Sequence, residues 1–393
     1  MIKATDKFTL NDVCHVITCG VAKRPEYVEE GIPFLSSKNV KENRFILDSY
    51  NHVSLEDHRA LTKNNKPEKN DILYTRVGSF GEAAVVDFDF EFSVFVSLTL
   101  IKPDHSKVDN RYLMRYLNSE KVKFLAKQST TGIGVQNLNV KVVREFPIPL
   151  PPLAEQCRIA AILDKADAIR RKQQQAIDLC DQFLKALFID MFGDPATNPK
   201  GWEVKKLEEI THKITDGTHK TPVYMSEGVK FISAKNINKD ASINWQDTKF
   251  ISSEEHEFLF KRCNVEKGDV VLTKSGSLGT AAIINVDFDF SLFESLALIK
   301  PKSEILNVYL KQLLNLDAFK RIYDSSTKGV AIKHLHLKEI RSFPIVLPPL
   351  DLQNKFAEIV KKTEAKKAKM QKSLERLNDN FNALSQKAFK GEL

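Results

Sequence analysis

The chain has 393 residues, 42% hydrophobic and 28% charged, with 59 basic against 51 acidic side chains and a formal net charge of +8. That length is long for a single core, no apolar run reaches the ~20 residues of a membrane helix, and the N-terminal MIKATDKFTL has no apolar signal core. Five scattered cysteines (Cys14, Cys19, Cys157, Cys180, Cys263) argue against a disulfide framework and fit a reducing cytoplasm, while the mild basic excess admits a polyanionic partner without requiring one.

From the N-terminus, the first predicted element is a β-rich region over residues 1–150. Its clearest signal is an alternation. Phe88, Phe90, Phe92, Val94, Val96, Leu98 and Leu100 share one parity, and Asp87, Asp89, Glu91, Ser93, Ser97 and Thr99 share the other. Period two predicts a strand with one face buried. Gly78 and Gly81 precede it and suit a tight turn. A helical stretch is expected from Tyr112 to Lys127. Pro151-Pro152 stands where a helix start tolerates proline, and a long helix is predicted over 151–193. Its 3-4 spaced residues are Ile159, Ile162, Ala166, Ile169, Gln173, Ala176, Cys180, Phe183 and Leu187, a coiled-coil seam with one polar layer at Gln173. Gly193, Asp194-Pro195 and Asn198-Pro199-Lys200-Gly201 end that helix and predict a linker over 194–200.

The second half repeats the first at an offset of about 197 residues. Asp269 to Pro301 matches Asp71 to Pro103 without a gap at 18 of 33 positions. A second β-rich region is predicted over 201–347, with Val286, Phe288, Phe290, Leu292, Leu296 and Leu298 in alternation, Gly276 and Gly279 before them, and a helical stretch from Tyr309 to Tyr323. Glu294 breaks the buried parity, which predicts a bend or strand end there. A second long helix follows over 348–393, with Met370, Leu374, Leu377, Phe381, Leu384 and Ala388 on its seam and weaker turns at Thr363 and Lys366. A helix of ~40 residues is roughly 60 Å long, and an apolar stripe of that length cannot stay in water. The simplest remedy is that the two helices pair. If a two-fold rotation relates the halves, they pair antiparallel. The expected fold class is α+β: two β-rich domains separated by two long antiparallel coiled-coil helices, with an internal pseudo-two-fold repeat.

The proline-rich helix start Ile148-Pro149-Leu150-Pro151-Pro152-Leu153-Ala154-Glu155-Gln156 has a second copy, Val346-Leu347-Pro348-Pro349-Leu350-Asp351-Leu352-Gln353. The helix endings Met191-Phe192-Gly193-Asp194 and Ala388-Phe389-Lys390-Gly391-Glu392-Leu393 pair in the same way. With the order β domain, helix, β domain, helix, these features resemble the specificity subunit of type I restriction-modification enzymes over essentially the whole chain. One departure is Leu352 in place of Glu155, which weakens a helix-start contact if one exists. The resemblance implies two target-recognition domains that each read half of a split DNA sequence. It also implies helices that fix the spacing, no catalysis by this chain, and assembly with two methyltransferase subunits and two motor-nuclease subunits. No cofactor and no membrane contact are implied.

The residues offer no familiar catalytic motif. There is no Asn-Pro-Pro-Tyr stretch, no glycine-rich turn suited to S-adenosylmethionine and no phosphate loop. His334-x-His336 lacks partners at metal-ligand spacing. Candidate DNA contacts are the paired turns with Arg76 and Ser79 or Lys274 and Ser277, whose backbone N–H groups suit a phosphate. The loops ending in Gln136-Asn137 and in Lys333-His334 offer donors to base edges. The turns read first as ordinary turns feeding a strand, and the loops read equally as ordinary surface. Lys38-Asn39 and Lys235-Asn236 recur in both halves, which favours phosphate or scaffold roles. Residues that differ should carry sequence choice: Lys23-Arg24 against Thr218-His219-Lys220, and Asn43-Arg44 against Asn244-Trp245-Gln246. The basic run Lys361, Lys362, Lys366, Lys367, Lys369, Lys372 is first of all a solvated helix face, and otherwise a contact for DNA or an acidic partner. Rival readings are a DNA-binding regulator without enzymatic partners, an enzyme with an unfamiliar site, and a purely structural adaptor.

Overall fold

A computed structural model describes residues 8–21, 24–78, 80–131, 137–276, 278–326 and 334–393. It divides into two compact units: residues 1–174 with 372–393, and residues 175–371.

In the first unit, β1 (Cys14–Cys19), β2 (Ile32–Leu35), β3 (Asn51–Val53), α1 (Leu55–Thr62), β4 (Ile72–Thr75), β5 (Ala83–Val85), β6 (Ser93–Val94) and β7 (Leu98–Pro103) come first. They build a four-stranded antiparallel sheet in the order β1-β7-β4-β5 and a three-stranded sheet β3-β2-β6, in which β2 and β6 are parallel. α2 (Asn110–Leu117), α3 (Glu120–Gln128) and α4 (Val140–Arg144) follow, and then α5 (Leu153–Phe192).

The second unit repeats this order. It contains β8 (Thr211–Asp216), β9 (Val229–Ile232), β10 (Lys249–Ile251), α6 (Ser253–Arg262), β11 (Val270–Thr273), β12 (Ala281–Ile283), β13 (Phe290–Leu292) and β14 (Leu296–Pro301). Its sheets run β8-β14-β11-β12 and β10-β9-β13. α7 (Asn307–Leu314), α8 (Asp317–Ser326), α9 (Leu337–Arg341) and α10 (Leu350–Lys390) complete the chain.

Two sequence expectations change here. The alternating run is not one strand. It is a loop, the short β6, a turn and then β7, with both faces of β7 buried. Ile101 faces the helices while Leu98 and Leu100 face the second sheet. The matching run breaks between β13 and β14, where Glu294 signalled an end. The stretch Tyr112 to Lys127 is two helices, and so is Tyr309 to Tyr323. Asn118 Oδ1 accepts from Ala83 N at 2.8 Å and its Nδ2 donates to Ala83 O at 2.9 Å. Ser119 then caps α3 by accepting from Val122 N. Asn315 makes the same pair of bonds to Ala281.

Each long helix starts from a buried glutamine. Gln156 Oε1 accepts from Asp109 N at 2.9 Å, and its Nε2 donates to Lys107 O and Pro151 O. Gln353 bonds Leu306 N, Glu304 O and Pro348 O in the same geometry. The two side chains are fully buried, so the shared proline-rich motif is a docking device whose polar atoms are all satisfied. Glu155 pairs only with the exposed Arg158, and its replacement Leu352 packs against the core of the second unit. That departure leaves the anchor intact.

Within each unit the two long helices run antiparallel. In the first, Arg158 Nη2 donates to Leu393 O at 3.0 Å, and Arg170 lies over the Phe381 ring at 3.8 Å. In the second, Phe188 and Phe192 meet Phe356, and Lys367 Nζ donates to Asp181 Oδ1 at 2.5 Å. On α5 the expected seam is met in part. Ile159 is buried and Ile162, Ala166, Gln173, Ala176, Cys180 and Leu187 are half-buried, but Ile169 and Phe183 are 47% and 50% exposed, and Ala160, Leu163, Asp167, Ile177, Leu184 and Phe188, one residue later, are buried. Polar layers sit at Asp167 and at Asp181, not at Gln173 alone. Asp167 is held by Arg115 at 3.0 Å, Arg170 at 2.6 Å and Arg171 at 2.8 Å. On α10 the expected seam residues Met370, Leu374, Leu377, Phe381, Leu384 and Ala388 are all buried or half-buried. Lys367, rather than Lys366, turns inward to Asp181, and the other lysines of the basic run are exposed.

Candidate functional site

In each unit, four chain segments that carry candidate contacts converge on one turn. In the first unit it spans residues 95–97. Val96 N donates to Val21 O at 3.0 Å, Ser37 N to Ser97 Oγ at 3.0 Å, Arg76 N to Ser97 O at 3.0 Å, and Leu138 N to Arg76 O at 2.9 Å. These bonds gather the segments of Arg24, Lys38, Arg76 and Asn137. In the second unit residues 293–295 do the same. Glu294 N donates to Thr218 O at 3.0 Å, Ala234 N to Ser295 Oγ at 2.9 Å, Lys274 N to Ser295 O at 2.8 Å, and Leu335 N to Lys274 O at 3.0 Å. The segments of Lys220, Lys235, Lys274 and His334 meet there. The first segment lies so close to the strand beside it that only glycine fits. A Cβ at Gly20 would stand 2.1 Å from Val94 O, and one at Gly217 would stand 1.9 Å from Leu292 O.

Arg24, Lys38, Asn137, Lys220 and Lys235 are exposed, and His334 is half-buried. Asn39 and Asn236 are buried and serve the scaffold. Asn39 Nδ2 donates to Ile46 O and Ser49 O, and Asn236 Nδ2 to Asp247 O at 2.6 Å. Arg76 is buried too. Its Nε donates to Leu138 O at 2.9 Å and its Nη1 to Val96 O at 3.0 Å. Lys274, 2% exposed, pairs with Asp216 at 2.5 Å. Asn39 and Asn236 thus take the scaffold role of the two roles expected for them, and the buried Arg76 and Lys274 commit the donors named above to the fold. Trp245, named among the discriminating residues, packs edge-on against Phe288 and Phe290 in the core. Lys23, Ser79, Gln136, Ser277 and Lys333 lie outside the described residues.

Sequence reasoning missed the charged network behind the second turn. Asp216, 2% exposed, also meets Arg262 Nη2 at 2.5 Å and His219 Nε2 at 3.3 Å. His219 Nδ1 lies 2.7 Å from Glu294 Oε2. The first unit has Cys19, Arg76 and Val96 at the positions of Asp216, Lys274 and Glu294. The Glu294 parity break was the one visible signal, because the residues it joins lie far apart in sequence. Burial pushes the His334 imidazole below its ordinary range, and the neighbouring Lys274 ammonium and His336 add to this. The His334 and His336 rings lie 5.2 Å apart. Among the described residues no three His, Cys, Asp or Glu side chains group as metal ligands.

Burial pushes the Asp216 carboxyl up, but the Lys274 ammonium and His219 more than offset it and hold it below its usual range. A carboxyl whose folded pKa is depressed contributes stability above its unfolded value and loses it as pH falls through the folded one. The second unit should therefore lose melting temperature below about pH 4. Asp216→Asn should lower stability by about 3 kcal/mol near neutrality, since it leaves Lys274 buried beside a neutral partner, and should flatten the acid limb. Thermal melts of both proteins from neutral to acid pH check this.

The sequence model of the type I restriction modification DNA specificity domain matches residues 3–179 and 199–379. The chain is 26% identical over 296 residues to the EcoBI specificity subunit of Escherichia coli, covering 67% of this chain and 62% of that protein. It is 25% identical over 286 residues to the MjaVIII specificity subunit of Methanocaldococcus jannaschii, covering 68% and 66%. The chain thus aligns with less than two thirds of the length of these two relatives. Among solved structures, the type I restriction-modification S subunit from M. genitalium superposes with a TM-score of 0.52 at 18% identity, over 99% of this chain and 98% of that one. A chain from a structure of type I R-M complex assembly and conformational transition gives 0.56 at 16% identity, over 99% and 98%. These two likenesses concern the fold.

Proposed function

The chain belongs to the family of type I restriction modification DNA specificity domains, and from that membership we propose that it is the non-catalytic DNA-recognition subunit of a type I restriction-modification complex. Residues 1–150 and 201–347 are the two recognition domains. Residues 151–193 and 348–393 form the spacer helices, and 194–200 link the halves. Each domain docks in a major groove, where all four base pairs can be told apart, and the helices set a spacing of about one to two turns at ~34 Å per turn. The target is then two short, different half-sites around an unread spacer. The near-identical surfaces of the two halves seat two copies of one methyltransferase subunit, and two motor-nuclease subunits join the full complex.

One observation carries this reading: the same scaffold occurs twice, and the two copies differ in charge at the turn where the candidate contacts meet. Two readers of unlike sequence need that combination. The exposed Arg24, Lys38, Asn137, Lys220 and Lys235, with the half-buried His334, are the proposed DNA contacts. No helix among the described residues is long and apolar enough to cross a membrane.

Affinity purification of the full chain from its host should bring down a methyltransferase, and the purified assembly should bind DNA with an affinity that falls steeply with salt. DNA binding with no methyltransferase in the eluate favours a stand-alone regulator instead. No salt-dependent DNA binding favours a structural adaptor.

A further inference from the structure

The two halves share nearly every polar device of their framework. His58 and His256 bond Ser93 and Ser291 at 2.9 Å, and Lys102 and Lys300 each bridge an Asp and a Glu. Arg144 and Arg341 donate to Ile17 O and Ile214 O. Against this constancy, Glu294 occupies the position of Val96 on the very turn where the candidate contacts meet.

A carboxylate on a surface meant for a polyanion is unfavourable by like-charge repulsion, so it needs a reason. Charge balance accounts for only one of its oxygens: His219 bridges Asp216 and Glu294 and takes up Oε2 alone. Both oxygens of Asp216 already answer the two cations of the cluster, Lys274 and Arg262, each at 2.5 Å. Glu294 pairs with neither. Among the described residues only His219 bonds it, at 2.7 Å from Oε2, while His334 stands near enough to feel its charge. Oε1 has no partner among the described residues, and the side chain remains 35% exposed. Its backbone is fixed by the bond from Glu294 N to Thr218 O, and Gly217 lets that segment approach closely. The result is a preorganised acceptor, oriented from behind by an imidazole and open in front.

We infer that Glu294 is a specificity-determining residue of the second recognition domain, with Oε1 accepting a hydrogen bond from the N4 amino group of a cytosine in its half-site. His219 is the positioning residue. This rests on the reading of that domain as a DNA reader. A carboxylate only accepts, and of the major-groove edges only cytosine and adenine present an amino donor. Adenine sets its acceptor N7 beside that donor, which suits an amide and repels a carboxylate, so cytosine is the match. The first domain, with Val96 in this place, reads no base in this way.

The test is selection from a pool of randomised duplexes by the full chain in its purified assembly, comparing wild type with Glu294→Gln and Glu294→Val. The first variant is isosteric, the second carries the first domain's residue, and thermal melts confirm that each folds. Wild type should enrich two half-sites with a cytosine at one position of the second. Both variants should lose preference at that position by about tenfold or more and keep every other position. Retention of the full motif by both variants overturns the inference. So does a uniform gain in binding to all duplexes with the motif unchanged, which would make Glu294 a mere electrostatic brake. If wild type enriches no motif at all, the DNA-reading function fails first, and this assignment with it.

Discussion

Deleting residues 172–178 together with 370–376 should shorten the spacer of the recognised DNA sequence and leave both half-sites unchanged. The positions follow from the pairing inside each unit, where Arg170 bonds Asn378 and Asp181 bonds Lys367. The two removed segments face each other in an antiparallel pair. Seven residues are one heptad, so the inward register of α5 and α10 is kept on both sides of the cut. At ~1.5 Å per residue the helices shorten by about 10 Å, equal to about three base pairs at ~34 Å per turn. Sites with the native spacer should bind at least about tenfold more weakly, because both half-sites can no longer be engaged together. Selection from randomised duplexes, or methylated-site mapping in cells, reads the spacer directly. An unchanged spacer in a folded variant would end the idea that the helices measure the gap.

Phe389→Ala should be among the most destabilising single changes in the first unit, costing about 3–5 kcal/mol. Phe389 sits near the C-terminal end of α10, with ring centroids 5.5 Å from Tyr112 and 5.0 Å from Tyr116. It is 8% exposed and belongs to the same core as Ile159 and Leu163. The last turns of α10 therefore belong to the core of the first unit. Phe192 is its repeat at the end of α5. Its ring lies 4.9 Å from that of Tyr309 and 5.4 Å from that of Phe356 in the second unit. Phe192→Ala should cost a similar amount there. Each compact unit thus includes in its core an aromatic ring from the final turns of a long helix, Phe389 of α10 in the first and Phe192 of α5 in the second. Denaturant unfolding of the two variants should show one unit losing stability in each case, with the affected unit switching between them. A loss below about 1 kcal/mol in both would contradict the packing account.

Much of this architecture was legible in the sequence because duplication doubles every signal. The paired Phe-Pro and Pro-Pro motifs, the matched helix endings and the parity break at Glu294 all pointed where the fold put them. What escaped had physical causes. The seam of α5 departs from expectation because Ile169 and Phe183 are apolar yet exposed, while Asp167 is polar yet held by Arg115 of α2 and Asp181 is polar yet bonded to Lys367 of the partner helix. Apolar spacing cannot see a buried ion pair whose partners come from elements distant in sequence. α1 went unnoticed, although Ser54, whose side chain accepts from Asp57 N at 3.0 Å, is an N-cap signal visible in the letters. Buried donors caused the remaining errors. Arg76 and Lys274 look like phosphate ligands in a glycine-flanked turn, but Val96 O, Leu138 O and Asp216 claim them through long-range contacts.

On the proposed function, one chain reads two different half-sites with two copies of one domain. Mapping methylated bases across the host genome, with the gene for this chain intact and then deleted, tests it most directly. The account predicts one split motif with unlike halves and a constant unread spacer, present with the chain and absent without it. A methylation pattern unaltered by the deletion, or a lost motif that is continuous or made of a single half-site, would contradict it.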